Sequence, residues 1–345
     1  MKYLTAMLNY VAMVNTGRFS MYYDRTLSPE FSKLIEHDGS LRWLFEFVRK
    51  RDDLDFLIGK NTEKEWISIY RGLTRILSIS PTKNPQTIII DADPKYKHMS
   101  SNLYGEKSVN DNFQNDILLL IAQIEKCHQF DRYYKNKKEG YYQNMLSRKY
   151  GICGGPDIDF VIIDKEAVVG YIDEDEKNKL FSPIQCKYRQ IQKVISAKNP
   201  VRYGKDLAKK AIGNELDFLA LDKGGNILLV EYKHGSNTSG IYLSPLQIGL
   251  YYDIFKSLSR EELDKSILKM LAQKQKIGLI NPEWETPPKL IDIIPTLVIS
   301  EYNYKSTAHD KFIEILQITR TLQGNGFLNN LRMYNFTIKN GLSEW

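Results

Sequence analysis

A chain of 345 residues, 42% hydrophobic and 26% charged, has ample material for a buried core and contains no low-complexity tract. The 48 lysines and arginines against 42 acids leave a net charge of +6, which suits a polyanionic partner without requiring one. Three cysteines without a C-x-x-C pair (Cys127, Cys153, Cys186) and five scattered histidines argue against a structural zinc site or a disulfide framework, and for a reduced, cytoplasmic protein. No run approaches the roughly 20 apolar residues that span a bilayer, so no membrane partner is expected.

The opening MKYLTAMLNYVAMV reads as an ordinary helix or strand rather than a signal peptide, because Asn9 and Tyr10 interrupt the apolar run. Residues 1–80 read as mostly helical: LRWLFEFVRK (41–50) and KEWISIYRGLTRILSI (64–79) space apolar residues three and four apart. A loop at 80–85 precedes a strand at 87–91, TIIID, and an amphipathic helix covers 112–127. A strand pair follows at about 158–163 and 167–172, and Asp173–Glu176 reads as a solvated turn. From residue 200 the pattern is regular. A helix at about 203–211 leads to strands at 216–221 and 227–233, and Ser244-Pro245 suits a helix start. Ser259-x-x-Glu262 is a capping box for a helix stopping near Gly278. A strand at 295–300, a helix with Phe312, Ile315, Leu316 and Thr319 on one face, and a strand near 333–339 complete the chain.

This order suits an α/β (α+β) fold, a mixed β-sheet flanked by helices, with residues 1–195 an N-terminal α/β accessory region and 196–345 the second domain. Residues 157–175 echo 215–233 at constant offset, with Asp159/Asp217, Phe160/Phe218, Asp164/Asp222 and Lys165/Lys223 identical. Two hairpins sharing turn chemistry explain this more simply than a duplication.

NELDFLALDKGGNILLVEYKHG (214–235) places acids and a lysine in two apolar runs. Lys223-Gly224-Gly225 is a hairpin signal. With those three residues as the loop, Asp217 lies opposite Glu231, with Cβ atoms roughly 4.5–5.5 Å apart, and Lys233 projects from the same face. A two-residue loop would shift the register and send Glu231 to the other face. Two close carboxylates call for a positive charge between them, and a hard divalent cation answers that need. With a lysine beside it, the set suffices for phosphodiester hydrolysis. A solvated strand end is the plain alternative, but the surrounding residues are apolar on both faces.

Asp217, the glycine-turn hairpin, Glu231-Tyr232-Lys233 and the helix LSPLQIGLYYDIF together resemble the PD-(D/E)XK nuclease superfamily. Gln247 and Tyr251, on one helix face, match the Q-x-x-x-Y pattern of the branch containing the nuclease domain of the RecB helicase–nuclease. The resemblance covers residues 200–345. It implies a restriction-endonuclease-like core with a four-stranded mixed sheet and Mg²⁺ or Mn²⁺ as cofactor. By the same resemblance Asp217 and Glu231 are metal-binding carboxylates, Lys233 is the catalytic lysine, and Gln247 and Tyr251 support the substrate or the lysine. There are two departures. Leu216 stands where the motif has proline, and residues 202–213 offer only Asp206 for the family's helix glutamate. Glu215 is named as the further metal ligand, and which of Asp206 and Glu215 replaces that glutamate stays open, with a degenerate binder as the outcome if neither does. His234, next to Lys233, should face away from the site.

Basic side chains enter the proposed domain at Lys187, Arg189, Lys193, Lys198, Arg202 and Lys205. Arg132, Lys135, Lys137, Lys138, Arg148 and Lys149 form a second run, among tyrosines suited to stacking. The expectation is a metal-dependent nuclease, acting on DNA in restriction, defence or repair, with residues 1–195 for recognition or regulation. Its rival is a catalytically inactive nucleic-acid-binding module of the same fold. DNA versus RNA, a homodimer and a partner protein stay open.

Overall fold

The structure, a computed structural model, describes residues 21–84, 87–99, 101–109, 112–127, 130, 131, 134, 138–203, 207, 211–213, 215–323 and 330–345. The expected element at residues 1–14 lies outside them. After strand β1 (Met21–Tyr22) and helices α1 (Pro29–Lys33) and α2 (Arg42–Arg49), the chain builds an antiparallel sheet. Its strands are β2 (Asp55–Lys60), β3 (Glu65–Arg71), β4 (Thr74–Pro81), β5 (Thr87–Asp91) and β6 (Gly105–Ser108), paired in chain order. Helix α3 (Phe113–Glu125) packs with α1 and α2 in the same apolar core as this sheet.

Residues 64–79 are therefore a hairpin and not the expected helix. EWISIYR buries Ile67, Ser68 and Ile69 in succession as a strand covered on both faces, and Gly72 takes φ +62 at the turn. The β-branched isoleucines favour the pleated surface, and the apparent helical spacing was a coincidence of the two periods.

Helix α4 (Lys138–Lys149) follows, locked by Arg148 to the end of α2 and the loop that enters β2. That buried guanidinium donates to the carbonyls of Val48 at 3.2 Å, Leu54 at 2.5 Å and Arg49 at 2.9 Å. Strand β7 (Phe160–Ala167), strand β8 (Gly170–Tyr171) and helix α5 (Glu174–Lys198) come next. The strand pair expected at 158–163 and 167–172 does not form. Instead β7 pairs antiparallel with β9 (Leu216–Asp222), while β8 pairs with β1. Only the second half of the internal echo is thus a hairpin, and strand β7 of the first half lies beside its strand β9. Asp173 caps α5 by accepting the N–H of Glu176 at 2.8 Å, so the acidic turn is a helix start.

Strand β10 (Ile227–His234), helix α6 (Thr238–Lys256), helix α7 (Arg260–Ile277), strand β11 (Ile293–Ser300), helix α8 (Thr307–Gln323), strand β12 (Arg332–Thr337) and strand β13 (Gly341–Glu344) complete the molecule. The second sheet is mixed, in the order β13-β12-β11-β10-β9-β7, with β10–β11 and β11–β12 parallel. Its first strand comes from before residue 196, so the expected boundary at 195 does not separate the two sheets. Residues of α5, α6, α7 and α8 share one core with Leu219, Leu221, Leu229, Leu297 and Ile299, while Leu146 and Tyr150 at the α4 end meet the opposite face. The fold is a mixed sheet flanked by helices.

Ser259 caps α7, with the Glu262 N–H 3.5 Å from Ser259 Oγ, while the Glu262 carboxylate accepts from Lys265, and Gly278 ends the helix at φ +89. Helix α6 starts earlier than Ser244-Pro245. Asn237 caps it, and Pro245 lies inside. Pro245 cannot donate to the Ile241 carbonyl, and the Ser244 hydroxyl does so instead at 2.7 Å. The helix expected at 203–211 falls mostly outside the described residues, which show one helical turn at 200–203. Among the described residues no helix is long and apolar enough to cross a membrane.

Candidate active site

The β9–β10 hairpin has the odd-loop register. Asp222 and Asn226 close a loop of Lys223, Gly224 and Gly225, with Gly225 at φ +84. Leu221 faces Ile227, and pairing continues to Phe218 opposite Val230. The next pair in that register is Asp217 and Glu231, where the backbone ladder stops. Asp217 Oδ2 takes its place, accepting the N–H of Tyr232 at 2.8 Å.

Glu231 is 1% exposed, on the same face as the α6-covered core. The Lys233 ammonium forms an ion pair with Glu231 Oε1, lies 3.6 Å from Asp217 Oδ2, and donates to the Tyr232 carbonyl at 2.8 Å. Burial works against the Lys233 charge, but Glu231, Asp217 and Glu139 together hold its pKa above the usual lysine value. Burial pushes the Glu231 carboxyl up to about 8, with Asp217 adding to the shift and Lys233 opposing it. Glu231 Oε2 is buried with no hydrogen-bond partner. An unsatisfied buried carboxylate oxygen is costly, and marks a place where a ligand would be welcome.

Tyr251 and Gln247, from α6, lie side by side against Gly213: a Cβ there would stand 2.8 Å from Tyr251 Oη and 3.1 Å from Gln247 Nε2. The Tyr251 hydroxyl donates to the Glu215 carbonyl at 2.6 Å, fixing the chain just before Asp217. Burial, then the Glu231 and Asp217 charges, raise its pKa.

Glu215 is exposed and lines a cleft with Arg25 and Glu166, and burial, then Glu166, push its carboxyl up while Arg25 opposes and Asp217 adds to the shift. The acid the structure adds to the site is Glu139 of α4, held by the Asn237 amide at 2.9 Å and close enough to act on Glu231 and Lys233. One turn on, Gln143 donates to Asp217 Oδ1 at 3.1 Å and occupies its second oxygen. The sequence reading missed both. Their signal, an acid and an amide four residues apart on a helix, lies in the stretch read only for its basic residues and tyrosines. Asp206 lies outside the described residues. Among the described residues no group of three or more His, Cys, Asp or Glu converges as a metal cage.

His234 sits against Tyr142 of α4, 5.2 Å between ring centroids, with Nδ1 2.8 Å from Ser236 Oγ. Burial, then Lys138, lower its pKa. Of the proposed nucleic-acid contacts, Lys187 pairs with Asp253 at 2.8 Å and Arg202 with Glu314 at 3.0 Å. Arg189, Lys193 and Lys198 are exposed on α5, and Lys205 lies outside the described residues. The second basic run is partly structural, since Arg148 is the buried anchor of α4 and Tyr150 stacks on Phe160 at 4.5 Å. Arg132, Lys135 and Lys137 lie outside the described residues.

Comparison with known proteins finds no matching family model, no matching curated protein and no matching solved structure.

Proposed function

We propose that the chain is a metal-dependent nuclease hydrolysing phosphodiester bonds, with DNA as the first substrate to test and restriction, defence or repair as its setting. The observation that carries this reading is the β10 strand end: Asp217 and Glu231 bracket Lys233, and Glu231 Oε2 is buried without a protein partner. The resemblance to the PD-(D/E)XK superfamily supports it, as does the mixed order of strands β7, β9, β10 and β11 with α6 beside them.

Asp217 and Glu231 would hold Mg²⁺ or Mn²⁺, and two carboxylates suit an ion that keeps several waters. Such an ion lowers the pKa of a bound water and polarises a phosphoryl oxygen. What supports such a fit is the partnerless Glu231 Oε2 beside Asp217; the Lys233 ammonium, which now lies between the acids, would have to move aside for the ion. Gln143 and the Tyr232 N–H fix Asp217, and Tyr251 fixes the segment that leads to it. Lys233 supplies positive charge to the phosphate, provided it gives up part of its contact with Glu231.

A second reading has one observation of its own. Lys233 neutralises the acids without a metal, which suits a catalytically inactive nucleic-acid-binding module. Cleavage of single- and double-stranded DNA and RNA with Mg²⁺ or Mn²⁺, wild type against Asp217→Asn, separates the two. Cleavage lost in the variant with unchanged melting temperature supports the enzyme. Nucleic-acid binding without cleavage, unchanged in the variant, supports the binding module.

A further inference from the structure

A cleft of about 400 Å³ lies between the two sheets, lined by residues of β2, β3 and β4 on one side and of β1, β7 and β8 on the other. That is near the lower end of small-ligand pockets, roughly 300–1,000 Å³. Three half-buried aromatic rings line it, Tyr22, Trp66 and Tyr70, and the first two each lie across a glycine on the neighbouring strand. Trp66 faces Gly59, where a Cβ would come within 2.6 Å of the indole; Tyr22 faces Gly170, where a Cβ would come within 2.4 Å of its ring. The glycines let both rings lie close against backbone, and the Arg25 guanidinium stands 5.6 Å from the Trp66 ring centre, so a base stacking on Trp66 would displace or join it.

The polar lining is balanced, with four basic and four acidic residues, and is therefore poorly suited to a polyphosphate. Arg75 makes no side-chain ion pair among the described residues. Glu166 holds φ +54, a strained conformation for a non-glycine residue, and such strain clusters at functional sites. Its Oε2 accepts the Tyr70 hydroxyl at 2.9 Å, which uses only one of its two oxygens. The cleft lies beside the candidate active site along strands β7 and β9. Lys165 pairs with Phe218 and Ala167 with Leu216, which brackets Glu166 beside Asp217, and Glu215 lines the cleft two residues before Asp217.

We propose that this cleft receives one unpaired nucleobase of the strand being cut, stacked on Trp66 or Tyr22 with its N–H edge toward Glu166. It rests on the nuclease reading for the identity of the strand. Flat rings beside hydrogen-bonding carboxylates are what a base removed from its stack requires, and a duplex cannot enter a space of this size. The substrate is then single-stranded, or a duplex with a nucleotide turned out near the scissile phosphate.

The test is binding of a fluorescent single-stranded deoxyoligonucleotide in EDTA, by anisotropy, so that no cleavage is needed. Trp66→Ala should weaken binding roughly five- to hundredfold, the range for loss of one stacked base, and Trp66→Phe by less. An abasic nucleotide at the responding position should cost the wild type a similar factor and cost Trp66→Ala nothing more. Arg75→Gln is the second variant, expected to weaken binding without touching an aromatic platform. If both Trp66 variants and Arg75→Gln bind like the wild type while metal-dependent cleavage persists, the cleft assignment fails and the nuclease reading stands. If no substrate is cut but strand binding still depends on Trp66, the nuclease reading fails and the cleft stands as a base-binding site. Free dAMP binding as tightly as the strand overturns the strand assignment, as does a wild type that binds no single strand.

Discussion

Asp217 Oδ2 accepts the backbone N–H of Tyr232 at 2.8 Å, at the point where β9 and β10 stop exchanging backbone hydrogen bonds. One carboxylate thereby does two jobs, closing the ladder and facing Lys233. The jobs can be separated. Asp217→Ala leaves a buried N–H unpaired and should destabilise the protein by about 1–3 kcal/mol in denaturant unfolding. Asp217→Asn can still accept that N–H through its amide oxygen, so it should unfold within about 1 kcal/mol of the wild type while losing cleavage. Equal destabilisation by both variants would mean that the charge, not the hydrogen bond, holds the strand end.

Lys233→Ala is the obvious catalytic variant, and the structure makes it a poor one at high pH. Lys233 is the partner of a buried carboxylate, and removing one member of such a pair typically costs about 3–5 kcal/mol. Because burial raises the Glu231 pKa to about 8, the remaining carboxyl can be protonated near pH 6 and its uncompensated charge avoided. The variant should therefore lose more stability at pH 9 than at pH 6. The double change Lys233→Met with Glu231→Gln should remove that pH dependence. A pH-independent loss in the single variant would show that Glu231 is not the group left exposed to the change.

The hairpin was readable from sequence because its charged residues interrupt apolar runs and its glycine pair permits a three-residue loop. The register itself was an alternative until the structure placed Gly225 at positive φ and Leu221 opposite Ile227, which sets Asp217 opposite Glu231. Other elements were not readable for physical reasons. EWISIYR and TRILSIS satisfy a helical spacing and a strand alternation at once, and only pairing with β2 and β5 decides between them. Glu139 and Gln143 reach the site from a helix more than 70 residues before Asp217, and nothing local to α4 marks that approach. The same holds for the cleft, whose two sides come from different sheets. Arg148 looked like a phosphate contact because charge is visible in sequence, whereas its three carbonyl partners are not.

The register itself can be tested at the loop. At Gly225, φ is +84 and an added Cβ would stand 2.3 Å from the Lys289 carbonyl oxygen, so Gly225→Ala combines a left-handed penalty with a backbone clash. The conformational part alone is worth about 1–2 kcal/mol. Gly224→Ala meets only side-chain atoms of Asp222 and Asn226, the nearest 3.2 Å away, and should cost less. Cleavage should fall in Gly225→Ala even at temperatures where the protein stays folded, since a shifted loop moves Asp217 relative to Glu231. Equal stability and activity in the two variants would contradict the loop geometry.

Glu231 ties metal binding to protons. Its pKa is raised from an unfolded value of about 4.3 to about 8, so between those values the folded protein binds more protons than the unfolded chain. Its contribution to stability is therefore fully present below about pH 4 and is lost as pH rises through about 8, by at most about 1.4 kcal/mol per unit. Metal binding requires the deprotonated carboxylate, which makes Mg²⁺ affinity rise over the same window and level off above about pH 9. Calorimetric titration of Mg²⁺ at pH 6.5, in two buffers of different ionisation enthalpy, should show release of about one proton, falling toward none at pH 9.5. Glu231→Gln should bind Mg²⁺ weakly without proton release. Mg²⁺ affinity independent of pH in the wild type would remove Glu231 from the metal site and leave Asp217 to be reconsidered with Glu139.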